Sequence, residues 1–302
     1  MKRSFLLLCT ALTLASAISC TEANGDEAAD ATEKTDKKKK KKGNDESLEN
    51  SLIAEAVPGL RSVGSLGGVP ESSGLAPGEQ AGTYYSFGDN GNSPILYRIN
   101  ETGKVLDEIS IGAKNDDWES LTRDNKGYYY IGDCGNNQSD RRNLRFFRVK
   151  PASPQQVDKI SFSYPDQTEF PPKKKQRHFD CEASVWHDGQ LWLFTKDQQE
   201  QSSYVYTVPD QPGTHTAKRI STINIPSQVT DAALSPNGQR LILLGRGELF
   251  ILDGSSWNDI LKASPRRVNL AGTGQTEGVA FKDEKTLLIS TEQGGLYEYA
   301  LQ

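Results

Sequence analysis

One short pattern returns five times along the chain, and any fold must accommodate all five copies. The segments are SSGLAP (72–77), WESLTRDNKG (118–127), CEASVWHDGQ (181–190), TDAALSPNGQ (230–239) and TEGVAFKDEK (276–285). Each sets a polar or acidic residue before a small residue, a short apolar strand and a turn. With Ser73, Glu119, Glu182, Asp231 and Glu277 taken as equivalent, the steps are 46, 63, 49 and 46 residues. The long step marks an insertion around residues 166–178.

A second strand follows each turn: YYSFGD, YYYIGD, LWLFTK, LILLGR and LLISTE. A third follows as ILYRI, LRFFRV, YVYTV, LFILD and LYEYA, and a fourth closes four of the units as VLDEISI, KISFSY, KRISTINI and RRVNL. These runs are rich in aromatic and β-branched residues, are bounded by Gly, Asn, Asp and Pro, and carry no sustained 3.6-residue period, which is the all-β signal. Four-stranded units of this length are propeller blades. The expected fold is therefore all-β, a five-bladed β-propeller. The last unit stops after three strands, so a strand near residues 60–66 is expected to close the ring and remove its open edges.

In such a blade the first strand lines the central channel and the second runs back antiparallel. The start of the first and the end of the second then share one mouth. Before the first strands stand Glu71, Asp117 and Glu119, Asp180 and Glu182, Asp231 and Glu277; the second strands end at Asp89, Asp133, Lys196, Arg246 and Glu292. Converging carboxylates repel unless something neutralises them. Oxygen-rich sites suit Ca²⁺, which accepts about six to eight oxygen ligands. Glu71, Asp89, Asp117, Glu119, Asp133, Asp180, Glu182, Asp231 and Glu277 are thus the candidate metal ligands, and Lys196, Arg246 and Glu292 candidate ligand-binding residues. Lys196 and Arg246 are also able to neutralise part of the ring without a metal. The Gly-rich turns GDNGN (88–92) and GDCGNN (132–137) lie on the same face, and Trp118 is expected to pack under the rim. Cys134 and Cys181 map to neighbouring blades at the mouth, either as a disulfide or as two free thiols.

The N-terminal region reads differently. A basic start, an apolar run over residues 5–18 and Ala17-Ile18-Ser19-Cys20 form a secretory signal over 1–19 with a lipobox-like end, which makes Cys20 a lipidation site. Residues 20–56, including six lysines at 37–42, have too few apolar side chains to offset the entropy of ordering and read as a charged tether. The propeller is assigned to 57–302. A formal net charge of −5 argues against a nucleic-acid binder. The expected setting is a monomer on the bacterial cell envelope, held to the membrane through Cys20.

PESSGLAP, the acid-small-Leu/Val repeats and DWESLTRDNKGYYYIGDCGNN resemble the SdiA-regulated group of bacterial propellers, relatives of NHL-repeat proteins, over about residues 60–302. That resemblance implies a five-bladed propeller with a calcium site and carries ligand positions to Glu119, Glu182 and Glu277. Ser73, Val229 and Gln275 depart from the acidic pattern, so the implied ring is not symmetric. A weaker resemblance runs to esterase-like phytase and gluconolactonase-like propellers.

Two functions follow. One is a tethered binding module presenting its mouth to a small molecule, glycan or protein, with Ca²⁺ ordering the rim. The other is a metal-dependent hydrolase of phosphoesters, esters or lactones at the same mouth. No Gly-X-Ser-X-Gly, His-Glu-X-X-His or Walker sequence is present, and His178, His187 and His215 form no cluster, so binding is the favoured reading.

Overall fold

The structure, a computed structural model, describes residues 57–302 apart from residue 200. Its strands run in chain order through five sheets. β1 (Leu60–Ser65) precedes the first blade, β2 (Ala76–Pro77), β3 (Thr83–Ser86), β4 (Ile95–Asn100) and β5 (Val105–Ser110). The second blade is β6 (Trp118–Arg123), β7 (Tyr129–Asp133), β8 (Arg145–Val149) and β9 (Val157–Ser163). The third is β10 (Asp180–His187), β11 (Gln190–Lys196), β12 (Ser203–Pro209) and, after the short β13 (Gly213–Thr216), β14 (Lys218–Ile223). The fourth is β15 (Val229–Leu234), β16 (Arg240–Gly245), β17 (Glu248–Asp253), the single-turn α1 (Trp257–Ile260) and β18 (Arg266–Asn269). The fifth is β19 (Thr276–Phe281), β20 (Thr286–Thr291) and β21 (Gly295–Ala300).

The molecule is thus the five-bladed β-propeller that the repeats predict. β1 pairs antiparallel with β21, setting Leu60 against Tyr299 and Ser65 against Gly295, so the N-terminal strand completes the fifth blade. One element had no sequence signal. The connection from β12 to β14 reaches across to the second blade, where β13 pairs in parallel with β9 and covers its outer edge.

Each blade is covered on both faces by its neighbours, which is why the middle strands are continuous apolar runs rather than alternating ones. Tyr129 to Asp133 on β7 and Leu241 to Gly245 on β16 are buried throughout. Trp118 is fully buried, packs edge-on against Phe87 at 5.6 Å, and donates from Nε1 to the Lys114 carbonyl at 3.1 Å. It locks the first blade to the second beneath the rim.

The inner strands share a defect that positions the site. On β6, β10, β15 and β19 the register with the next strand slips by one, between Trp118 and Ser120, Cys181 and Ala183, Val229 and Asp231, and Thr276 and Gly278. The extra residues are Glu119, Glu182, Thr230 and Glu277. In the first blade Ser72 bridges Gly88 while Ala76 pairs Tyr85, so that segment also carries one residue more than its partner. A bulge turns the side chain of its extra residue out of the ladder, here at one end of the channel.

Candidate functional site

The mouth is a cavity of about 220 Å³ lined by Glu71, Ser72, Ser73, Asp89, Glu119, Asn137, Glu182, Lys196, Arg246, Gln275, Glu277 and Glu292. Glu71, Asp89, Glu119, Glu182, Glu277 and Glu292 face only Lys196 and Arg246, so the lining is strongly acidic. The bulges supply Glu119, Glu182 and Glu277; the ends of the second strands and the turns after them supply Asp89, Lys196, Arg246 and Glu292.

Two acids of this ring form a tighter group with Asp117 beside it. Asp89, Asp117 and Glu119 each present a carboxylate oxygen, all within 4.8 Å of one another. Ser73 Oγ donates to Glu119 Oε2 at 3.1 Å, bracing the acid from the next blade. The Asn90 backbone N–H donates to Asp89 Oδ1 at 2.5 Å. Asp117 lies 3.6 Å from Arg141 Nη1. Gly135 makes the cluster possible. A methyl group on its Cα would lie 2.5 Å from Asp117 Oδ2 and 2.8 Å from Glu119 Cγ.

The electrostatics are those of crowded, desolvated acids. Burial lifts the Asp89 carboxyl above its usual range. Asp117 is pushed up to about 6 by burial, with Asp89 and Glu182 adding to the rise and Arg141 opposing it. Glu277 reaches about 7, through burial and then the charge of Glu182. Glu119 and Asp180 are pushed well up by burial and by Glu182. Burial works against the Lys196 charge too, but Glu182, Asp180 and Glu119 outweigh it and hold the ammonium above its ordinary range. Lys196 Nζ is 3.0 Å from Glu182 Oε1.

Of the remaining predicted residues, Glu71 lines the cavity and Asp133, Asp180 and Asp231 do not. Asp133 is fully buried and spent on arginines: its oxygens lie 2.8 Å from Arg141 Nη2 and 2.5 Å from Arg145 Nη2, and it accepts from the Asp117 N–H at 3.0 Å. It shapes the loop that carries Asp117 and is not among the residues that line the cavity. Asp231 is one residue out of step with the acids of the other blades, because the bulged residue of its strand is Thr230. Its buried carboxylate accepts from the Ala232 and Val279 N–H groups, both at 2.8 Å, tying the fourth blade to the fifth away from the mouth lining. Asp180 accepts from the Asn136 N–H at 2.5 Å and lies behind Glu182. Glu71 lines the cavity in a left-handed backbone conformation, φ 44°, and accepts from Asn92 Nδ2 at 2.9 Å. Cys134 and Cys181 do meet across neighbouring blades, but as free, buried thiols; Cys134 Sγ donates to the Cys181 carbonyl at 3.2 Å. Cys20 and the whole of 1–56 lie outside the described residues.

Sequence reasoning missed several residues here. Asn137 enters the lining from the GDCGNN turn, and Ser72 from the segment before β2. Lys174 and Lys175, in the insertion, line a second cleft that shares Asn137, Lys196 and Arg246 with the mouth. The 63-residue step marked the insertion that carries them, but nothing in it marked a fold back over the rim.

Fold and site together define a five-bladed propeller with a carboxylate-lined channel mouth. No protein-family model and no curated protein sequence matches the chain. Similar solved structures include a virginiamycin B lyase from Staphylococcus aureus (15% identity, TM-score 0.43, 76% of this chain and 66% of that one). The alignment therefore spans just under two thirds of the lyase. An aldose sugar dehydrogenase from Streptomyces coelicolor aligns at 12% identity and TM-score 0.47, over 81% of this chain and 99% of the other. A protein assigned as a 6-phosphogluconolactonase from Bacteroides uniformis aligns at 16% identity and TM-score 0.41, over 78% and 68%.

Proposed function

We propose that the channel mouth is a divalent-cation site, best matched by Ca²⁺, in a binding module that presents this face from a membrane tether at Cys20. The observation that carries the reading is the convergence of Asp89, Asp117 and Glu119 oxygens within 4.8 Å. Three hard carboxylates with no sulfur or imidazole among them suit Ca²⁺ rather than Zn²⁺. A bound cation would offset the burial and the mutual repulsion that lift their proton affinities, and would supply positive charge for an oxygen-bearing ligand.

A metal-assisted hydrolase is the second reading. It has one feature in its favour: the cavity extends beyond the cluster to Glu277, whose pKa of about 7 suits a general base.

The test is calorimetric titration of the full chain with CaCl₂ after EDTA treatment. One site is expected, lost in Asp89→Asn/Glu119→Gln; a folded double mutant with unchanged Ca²⁺ affinity would overturn the reading. Turnover of p-nitrophenyl phosphate or a simple lactone by the Ca²⁺-loaded protein, lost in Glu277→Gln, would move the assignment to the hydrolase. Release of the Cys20→Ala protein from the membrane fraction tests the tether.

A further inference from the structure

Beside the acidic mouth lies a second cleft of opposite character. It encloses about 580 Å³ and is lined by Lys174, Lys175, Lys196, Arg246, Gln198, Gln199, Gln228 and Asn137, with no acid among these residues. Asn137, Lys196 and Arg246 also line the mouth, so they form the wall between the two spaces. Lys196 is engaged by Glu182 at 3.0 Å. Lys174, Lys175 and Arg246 enter no ion pair among the described residues.

The backbone that carries the lysines is held in place, while their side chains are exposed to solvent. They sit on the single 3₁₀ turn Lys174–Gln176 within the insertion between the second and third blades. Gln199 Nε2 donates to the Lys175 carbonyl at 2.9 Å, and Arg177 Nη1 to Gln138 Oε1 at 2.5 Å. Gln198 Nε2 donates to the Asn137 carbonyl at 2.6 Å. Each amide nitrogen keeps a second N–H, and the side-chain carbonyls of Gln198 and Gln199 accept no hydrogen bond among the described residues, so both glutamines can donate to and accept from ligand hydroxyl groups.

We infer that this cleft is the anion-binding half of the ligand site, and that the ligand is a small polyhydroxylated oxyanion, phosphate- or carboxylate-bearing. Its anionic group sits among Lys174, Lys175 and Arg246, its hydroxyls meet the glutamines, and its remaining oxygens reach across the shared wall to the cation. Arginine and lysine clusters recognise oxyanions through charge-assisted hydrogen bonds. The cation-bridged part of this inference rests on the Ca²⁺ reading above; the anion cleft does not.

Calorimetric titration of the full chain with glycerol 2-phosphate, gluconate and neutral glycerol, each in EDTA and in CaCl₂, tests it. At least one of the two anions is expected to bind and glycerol is not; which anion binds identifies the source of the oxyanion. Lys174→Gln/Lys175→Gln should raise the Kd of that anion about tenfold or more, as expected for loss of charged hydrogen-bond donors. Its own Ca²⁺ affinity should stay within about threefold, since screened surface charges couple weakly. Anion binding that persists in EDTA and is lost in the double mutant upholds the cleft even if Ca²⁺ fails to bind. Failure of both anions to bind, or equal binding by wild type and the double mutant, overturns it.

Discussion

Lys196 stands opposite Asp180 in the β10–β11 ladder, yet its ammonium reaches past that partner to Glu182, 3.0 Å away at the bulge. Both side chains are largely buried, 10% and 3% exposed. The pair neutralises one side of the mouth; on the other, Asp117 has Arg141 at 3.6 Å, and Asp89 and Glu119 have no ion-pair partner among the described residues. Lys196→Met should therefore strand Glu182 as an uncompensated buried charge. The expected loss is about 3–5 kcal/mol in EDTA, read by urea unfolding. Glu182→Gln/Lys196→Met should recover much of it. A single mutant as stable as wild type would mean that Glu182 is not charged in the folded protein.

Gly135 offers a test of the cation site that changes no charge. Its missing Cβ is the space into which Asp117 and Glu119 project, with contacts of 2.5 to 2.8 Å if a methyl group is added. Gly135→Ala should push the two carboxylates out of convergence and weaken Ca²⁺ by about tenfold or more, the cost of overpacking a fitted site. Gly67→Ala, whose methyl would meet only Ser65 Oγ at 3.7 Å, is the control. Unchanged Ca²⁺ affinity in a folded Gly135→Ala protein would place the cation elsewhere.

The blade count, the closing strand and most of the mouth were legible in the chain because each rests on a local pattern repeated at one structural position. A Gly, Asn or Asp turn between apolar runs announces a strand pair wherever it occurs, and five such sets leave few other folds. Register is subtler. Asp231 looks equivalent to Glu119 because both precede a small apolar run, but the extra residue of the bulge falls on Thr230, and one step along a strand reverses the side chain. Asp133 ends its strand as expected but is absent from the mouth lining for another reason. Its partners Arg141 and Arg145 lie beyond the turn, and their side-chain directions are set by tertiary packing. Lys174 and Lys175 belong to an insertion, where the repeat offers no template.

The off-register acid has its own expected behaviour. Asp231 receives two backbone N–H groups at 2.8 Å, one of them from the neighbouring blade. Asp231→Ala leaves both donors buried without a partner, at about 1–3 kcal/mol each. The measurement is Tm beside Ca²⁺ titration. A large drop in Tm with Ca²⁺ affinity intact is expected. Lost Ca²⁺ binding in a protein of normal stability would instead return Asp231 to the ligand set.

Glu277 sets the pH dependence. Its carboxyl is raised from 4.5 to about 7, first by burial and then by the charge of Glu182. Between those values the folded chain keeps a proton that the unfolded chain releases. This contribution to stability is therefore complete below about 4.5 and is lost as pH climbs to about 7. Asp117, raised to about 6, acts with the same sign. In EDTA, Tm should fall from pH 5 to pH 7.5 by several degrees, for a shift worth on the order of 2–3 kcal/mol from Glu277. Glu277→Gln, which cannot ionise, should flatten that fall without abolishing it. Added Ca²⁺ should raise Tm most at the alkaline end, where the carboxylates are free of protons and the cation has none to displace. A Glu277→Gln protein with the same slope as wild type would show that this carboxyl titrates alike in the folded and unfolded chains, and that the mouth is wetter than its burial implies.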